Sequence, residues 1–162
     1  MQQTEERTSE WGATADFLDN HPEAQVIGIQ FRRWGAVKQI AGRAATLRIF
    51  EDNALVRQTL SQPGAGKILV VDGQGSLRTA LLGDQLAALA VRNGWAGVVI
   101  NGAIRDSDVI EALPLGVFAL GTAPRKSAKM GTGETQCILE FAKTTVAPDA
   151  LIVADSDGIC VL

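Results

Sequence analysis

The sequence predicts a mixed α/β fold, and three observations carry that prediction. Three short apolar runs, KILVVD (67–72), AGVVI (96–100) and LGVFAL (115–120), have the continuity of strands buried on both faces. Segments of helical period separate them, which argues for parallel pairing through right-handed crossovers. The last third of the chain trades this texture for short strands and tight turns, the mark of antiparallel pairing.

Taken in order, residues 1–12 read as a loose polar tail. Thr14 caps a short predicted helix that runs to about Asn20, and His21-Pro22 ends it. An apolar stretch, Val26 to Phe31, leads into a mixed loop around Arg33, Trp34 and Gly35. GRAATLRIF (42–50) alternates as a strand does. Glu51-Asp52-Asn53 breaks the pattern, and Asp52 or Asn53 supplies a cap for a helix over Ala54 to Leu60. Pro63 to Gly66 is a turn before the first buried run, and Gly73-Gln74-Gly75-Ser76 is a glycine-rich loop after it. The best helix spans Asp84 to Arg92, with Leu86, Leu89 and Ala90 on one face and Asn93-Gly94 as its stop. After the second buried run, Asn101 to Asp106 reads as a tight turn into a short helix that ends before Pro114. From Gly121 a basic, glycine-containing loop, TAPRKSAKMGTGE (122–134), precedes short strands over Cys137 to Ala142, Ala150 to Ala154 and Gly158 to Leu162. Asp155-Ser156-Asp157-Gly158 is the turn between the last two.

Composition narrows the function classes. The 162 residues, 46% hydrophobic and 20% charged, suffice for one globular domain over 1–162 with its own core. A formal net charge of −3 argues against a dedicated nucleic-acid binder, which carries a basic surplus. Two cysteines, Cys137 and Cys160, and one histidine, His21, make neither a soft-ligand zinc site nor a disulfide framework. Both cysteines are expected as buried strand residues, and His21 as structural. The N-terminus lacks the apolar stretch of a signal peptide, and no run reaches the roughly 18 apolar residues of a membrane span. A cytoplasmic protein is expected, with no membrane partner.

Four constellations could carry chemistry. VVDGQGS (70–76) ends a buried strand in Gly-x-Gly, as nucleotide-binding turns do, but Arg78 stands where the fingerprint needs its third glycine. A plain turn with positive φ is favoured there. Gly83-Asp84-Gln85-Leu86 opens the best helix, where backbone N–H groups can receive a substrate carboxylate, unless Asp84 consumes them as a cap. Arg105 and Asp106 fall beyond the carboxyl end of a buried strand, the place where ligands bind in open α/β sheets. Arg105 can grip a carboxylate or steady an enolate, and Asp106 can ligate a hard divalent cation. Both helix starts follow parallel-strand units, so Asp84 and Arg105 are expected to share one cleft. Arg125, Lys126 and Lys129 form a cationic loop, either a solvated face or a lure for dicarboxylates. Trp95 is expected in the core or an interface; Trp11 and Trp34 stand in loop-like surroundings suited to subunit contacts.

The sequence resembles the RraA-like family, which holds regulator of ribonuclease activity A and the class II 4-hydroxy-4-methyl-2-oxoglutarate aldolases. The resemblance runs from about Thr14 to the C-terminus. FEDNALV (50–56), LVVDGQGSLRTALLGDQLAALAVRNGWAGVVINGAIRDSD (69–108), LGVFALGTAPRKSAKMGTGE (115–134) and ADSDGICV (154–161) carry it. It implies a layered β/β/α domain of swivelling type, assembled as a homotrimer with sites at subunit interfaces. It further implies that Gly83, Asp84, Gln85 and Leu86 bind substrate and that Arg105 binds the pyruvyl group and steadies its enolate. Asp84 would handle a water and a proton, and Asp106 would ligate magnesium or manganese. The implied reaction is retro-aldol cleavage of 4-hydroxy-4-methyl-2-oxoglutarate to two pyruvates, or decarboxylation of oxaloacetate through the same enolate. The sequence stops at Leu162 without the extension that lends an acidic residue to a neighbour's site in dedicated aldolases, so decarboxylation is expected first. Members that inhibit ribonuclease E tend to lack the acid after the arginine, and Asp106 is present. Two alternatives stand beside the lyase: a non-enzymatic regulator of a ribonuclease E-type endonuclease, and a methyl-donor-binding transferase resting on VVDGQGS.

Overall fold

The computed structural model describes residues 10–162. The first half comprises α1 (Thr14–Asn20), β1 (Gln25–Val26), β2 (Arg32–Trp34), β3 (Ile40–Arg48), α2 (Ala54–Leu60), β4 (Ile68–Asp72) and β5 (Ala80–Leu82). The second comprises α3 (Asp84–Arg92), β6 (Gly97–Ile104), α4 (Ser107–Glu111), β7 (Gly116–Thr122), β8 (Glu134–Thr135), β9 (Leu139–Phe141), β10 (Thr144–Val146), β11 (Leu151–Asp155) and β12 (Gly158–Val161).

Parallel β3, β4, β6 and β7 form the centre of a sheet ordered β1-β12-β11-β3-β4-β6-β7-β2. The flanking pairs, β3 with β11, β11 with β12, β12 with β1, and β7 with β2, are antiparallel. Every residue of β4 and β6 is buried, as continuous apolar runs demand. One face of the central strands packs Leu69, Val71, Val98 and Ile100 against Val56 and Leu60 of α2 and Leu86 and Ala90 of α3. On the other face Ile68, Val70 and Val99 meet Ile152, Ala154, Ile159 and Val161, so the sheet curls its C-terminal strands back over its centre. Phe17 of α1 packs outside that second layer, on Val153 and Cys160. This is the mixed α/β fold that the sequence predicts, with the two strand layers and one helix layer that the family resemblance implies.

Several local expectations change. Asn101 to Ile104 is not a turn but the end of β6, because β5, absent from the sequence reading, and β7 both pair with it. Asn101 suits the buried strand since its side chain donates to Asp72 Oδ1 at 2.9 Å. Thr14 does not cap α1. The Asp155 carboxylate does, accepting from Thr14 N at 2.8 Å and Thr14 Oγ1 at 2.7 Å. Asn53 makes no side-chain cap on α2; Asp52 accepts from Ala54 N at 3.1 Å. Trp34 lies in β2 and is buried, with the Arg32 guanidinium 4.7 Å from its ring centre. Cys137 is half-buried between β8 and β9, whereas Cys160 is buried in β12. Trp95 is buried, and its indole N–H donates to Gln62 O. The tail expected over residues 1–12 lies outside the described residues as far as residue 9; residue 11 is helical, and Trp11 packs edge-on against Phe17. Among the described residues no helix is long and apolar enough to cross a membrane.

Candidate functional site

Two strand ends sewn together build one wall of a cleft. β5 delivers the chain to Gly83 and α3, β6 delivers it to Arg105, and Arg105 N donates to Leu82 O at 2.9 Å. Gly83 occupies the N-cap position of α3. A Cβ built there would crowd Asp106 Oδ2 at 3.0 Å and meet Arg105 Nε at 3.5 Å, an ordinary contact, so the missing side chain eases the seating of Asp106 against the helix start. Asp106 adopts a left-handed conformation (φ 55°, ψ 38°) at the start of α4. An aspartate tolerates this, and such conformations gather at functional sites. Its Oδ2 accepts from Asp84 N at 3.2 Å, and Asp84 Oδ1 accepts from Gln85 N at 2.8 Å. The positive end of α3 thus faces two carboxylates. Two amides that the sequence reading reserved for a substrate carboxylate, those of Asp84 and Gln85, are therefore engaged by the protein itself.

The cleft has a volume of about 230 Å³ and is lined by Gly83, Asp84, Gln85, Leu86, Arg105 and Asp106 on this wall. Gly83 to Leu86, Arg105 and Asp106, expected to bind substrate, proton and metal, thus line one cleft. The rest of the lining comprises Asn53, Ala54 and Arg57 at the start of α2, Ala80 of β5, and Lys126, Ser127 and Lys129 of the basic loop. Asn53, Arg57 and Ser127 were not predicted for the site; Ser127 lies within the cationic loop, and no local signal marks the other two. Arg125 is not among the lining residues, while Lys126 and Lys129 are. Arg57, Arg105, Lys126 and Lys129 outnumber Asp84 and Asp106, so the cleft attracts anions despite the acidic chain.

Two acidic residues beneath the rim are spent on structure. Burial pushes the Asp52 carboxyl up, but the N–H groups of Ala54, Met130, Gly131 and Thr132 more than offset this and hold it below its ordinary value. Arg78 and Ser76 lower the pKa of Glu51 in the same direction. The glycine-rich loop does not line the cleft; Gln74 and Gly75 take positive φ (56° and 77°), and Asp72 accepts from Gln74 N at 2.9 Å. The plain-turn reading of VVDGQGS holds.

Among the described residues no three His, Cys, Asp or Glu side chains cluster as a metal cage. The Asp106 carboxylate, in the cleft lining, instead offers the sparse oxygen donor of a hard cation that keeps water and substrate oxygens as its other ligands. That donor set fits magnesium or manganese.

Fold and cleft together define a mixed α/β protein with a carboxylate–guanidinium pair at a parallel-strand end. Residues 14–161 match the family described as RraA-like (Aldolase/RraA), and the chain belongs to that family. It is 48% identical over 149 residues to a 4-hydroxy-4-methyl-2-oxoglutarate aldolase of Thermus thermophilus, covering 92% of this chain and 91% of that one. The solved structure of the RNA-processing inhibitor RraA from Thermus thermophilus superposes with a TM-score of 0.91 at 47% identity, over 93% of this chain and 92% of that one. A structure described as S-adenosylmethionine:2-dimethylmenaquinone methyltransferase from Geobacillus kaustophilus matches with a TM-score of 0.91 at 47% identity, over 93% and 94%.

Proposed function

We propose that the cleft is the active site of a divalent-metal-dependent lyase of pyruvyl 2-keto acids. The reactions are retro-aldol cleavage of 4-hydroxy-4-methyl-2-oxoglutarate and decarboxylation of oxaloacetate, both giving pyruvate. The observation that carries the reading is the contact of Arg105, Asp106 and the α3 start across side-chain-free Gly83. Asp106 would hold magnesium or manganese, which when bound supplies Lewis-acid polarisation of the keto group. Arg105 grips the pyruvyl carboxylate through two N–H groups, a role that falls to it where the amides of Asp84 and Gln85 already have partners. When the carbon–carbon bond breaks, its electron pair remains as an enolate, and the fixed guanidinium offsets that charge. In the retro-aldol reaction the water held by Asp84 takes the proton of the C4 hydroxyl as that carbon becomes the keto carbon of the second pyruvate, and then returns a proton to the enolate carbon. In decarboxylation carbon dioxide leaves and the same water supplies the proton. Lys126, Lys129 and Arg57 gather the anionic substrate.

The test is pyruvate release from oxaloacetate with added magnesium or manganese. Asp106→Ala abolishes it, and turnover indifferent to a chelator would retire the reading. A homotrimer in cytoplasm belongs to the same proposal, and sedimentation measures the assembly. The likeness to an RNA-processing inhibitor supports a second reading, a regulator of a ribonuclease E-type enzyme. Inhibition that survives Asp106→Ala in a protein without lyase activity would select it.

A further inference from the structure

The chain between β7 and β8 brings Lys126, Ser127 and Lys129 to the cleft without a helix or regular strand of its own. Two isolated bridges, Ala80 with Lys126 and Asp52 with Ala128, and the donation of Ser127 Oγ to Ala80 O at 2.7 Å fix its first half. The second half bends around Asp52. That carboxylate accepts from Met130 N at 2.8 Å, Thr132 Oγ1 at 3.2 Å, Gly131 N at 3.3 Å and Thr132 N at 3.5 Å. It also accepts from Ala54 N at 3.1 Å, at the start of the helix that carries Arg57. Asp52 is only 2% exposed and does not line the cleft. A carboxylate so buried is tolerated because these donors meet it, and the bend is ordered for the same reason.

We infer that Asp52 is a positioning residue that holds the Lys126–Lys129 lip against the start of α2 and so sets the cleft's affinity for anionic substrate without touching it. The inference rests on the reading of this cleft as a 2-keto acid site. A residue that acts only by placing cations that bind ground state and transition state alike changes KM and leaves kcat. Its effect must also vanish when the cations it places are gone, which a general loss of stability would not do.

The experiment compares the wild type, Asp52→Asn, the pair Lys126→Met/Lys129→Met, and their combination, with oxaloacetate and magnesium, together with hydrogen exchange of the 130–132 amides. Asp52→Asn is expected to raise KM about tenfold with kcat within about twofold, to speed exchange of those amides, and to add nothing in the lysine-free pair. A fall in kcat at constant KM, unchanged amide exchange, or an undiminished KM effect in the lysine-free background would each overturn the inference. Should Asp52→Asn not fold, Gly131→Ala loosens the same bend without touching the carboxylate. Its φ of +82° strains any side chain, while no atom lies within 4 Å of the added Cβ. It must raise KM likewise, and an unchanged KM sinks the idea. If the wild type does not turn over oxaloacetate, the lyase reading fails by itself. The positioning role is then decided by calorimetry with oxalate as the probe: weakening by Asp52→Asn in the lysine-bearing protein alone sustains it, and any other pattern ends it.

Discussion

Two parts of the cleft lining differ in how far regular elements build them. The wall of Gly83 to Leu86, Arg105 and Asp106 hangs from strand ends and a helix start whose backbones are bonded to one another, Arg105 N to Leu82 O among them. The lip, residues 123–133, has no helix or regular strand; backbone bonds to Ala80, Glu51 and Asn53 tie its first half, and the buried Asp52 carboxylate orders the bend at 130–132. The difference separates two duties. Under the proposed function, the wall built from strand ends and a helix start would hold a guanidinium and a carboxylate in place for charge that develops in the reaction, while the lip would supply cations for binding.

The sharpest way to break this division is to damage the rigid wall. Asp106→Ala is expected to remove metal-dependent pyruvate release by about a thousandfold or more in kcat/KM, since it deletes the carboxylate proposed to hold the cation. Arg105→Lys keeps the charge but not the two-pronged grip, and kcat is expected to fall about a hundredfold in steady-state assays. Gly83→Ala places a methyl group 3.0 Å from Asp106 Oδ2; kcat should drop about tenfold while unfolding free energy stays within about 1 kcal/mol. Equal loss from a conservative change in the lip, such as Lys129→Arg, would erase the contrast between the walls.

Acid should loosen the lip. The folded pKa of Asp52 is depressed below its ordinary 3.8, so its contribution to stability is complete above that value and is lost as pH falls through the lower folded pKa. Asp52→Asn should therefore flatten the pH dependence of thermal unfolding below about pH 4, and a variant with the wild-type slope would dissociate the carboxylate from the lip's order. The smallest effect is expected far from the cleft: Thr14→Val removes the hydroxyl bond to Asp155 and should cost about 1 kcal/mol with no change in kcat or KM.

Elements with a local cause were legible. The spans of α2 and α3 follow from helical period and their stop signals, and β4 from an uninterrupted apolar run. β5 was not, because Ala80 to Leu82 is too short to show a period and exists through its pairing with β6. The same holds for the end of β6, where Asn101 and Gly102 signal a turn locally but Asp72 and two neighbouring strands outvote them. In the site, Arg105 and Asp106 stood out as a chemically suggestive pair at a strand end. Arg57 and Asn53 did not, since nothing in their neighbourhood in the chain says which cleft their helix faces.

By itself, the sequence determined which segments are apolar enough to be buried strands, where the main helices stop, and which side chains could carry acid–base and anion chemistry. These are properties of residues within one turn or one strand of each other. Only the tertiary structure decided that Asp155 caps α1, that Asp52 binds the lip and that Lys126 faces Arg105's cleft. Each of those contacts joins residues far apart in the chain, and the curl of the sheet that brings them together is fixed by packing between layers.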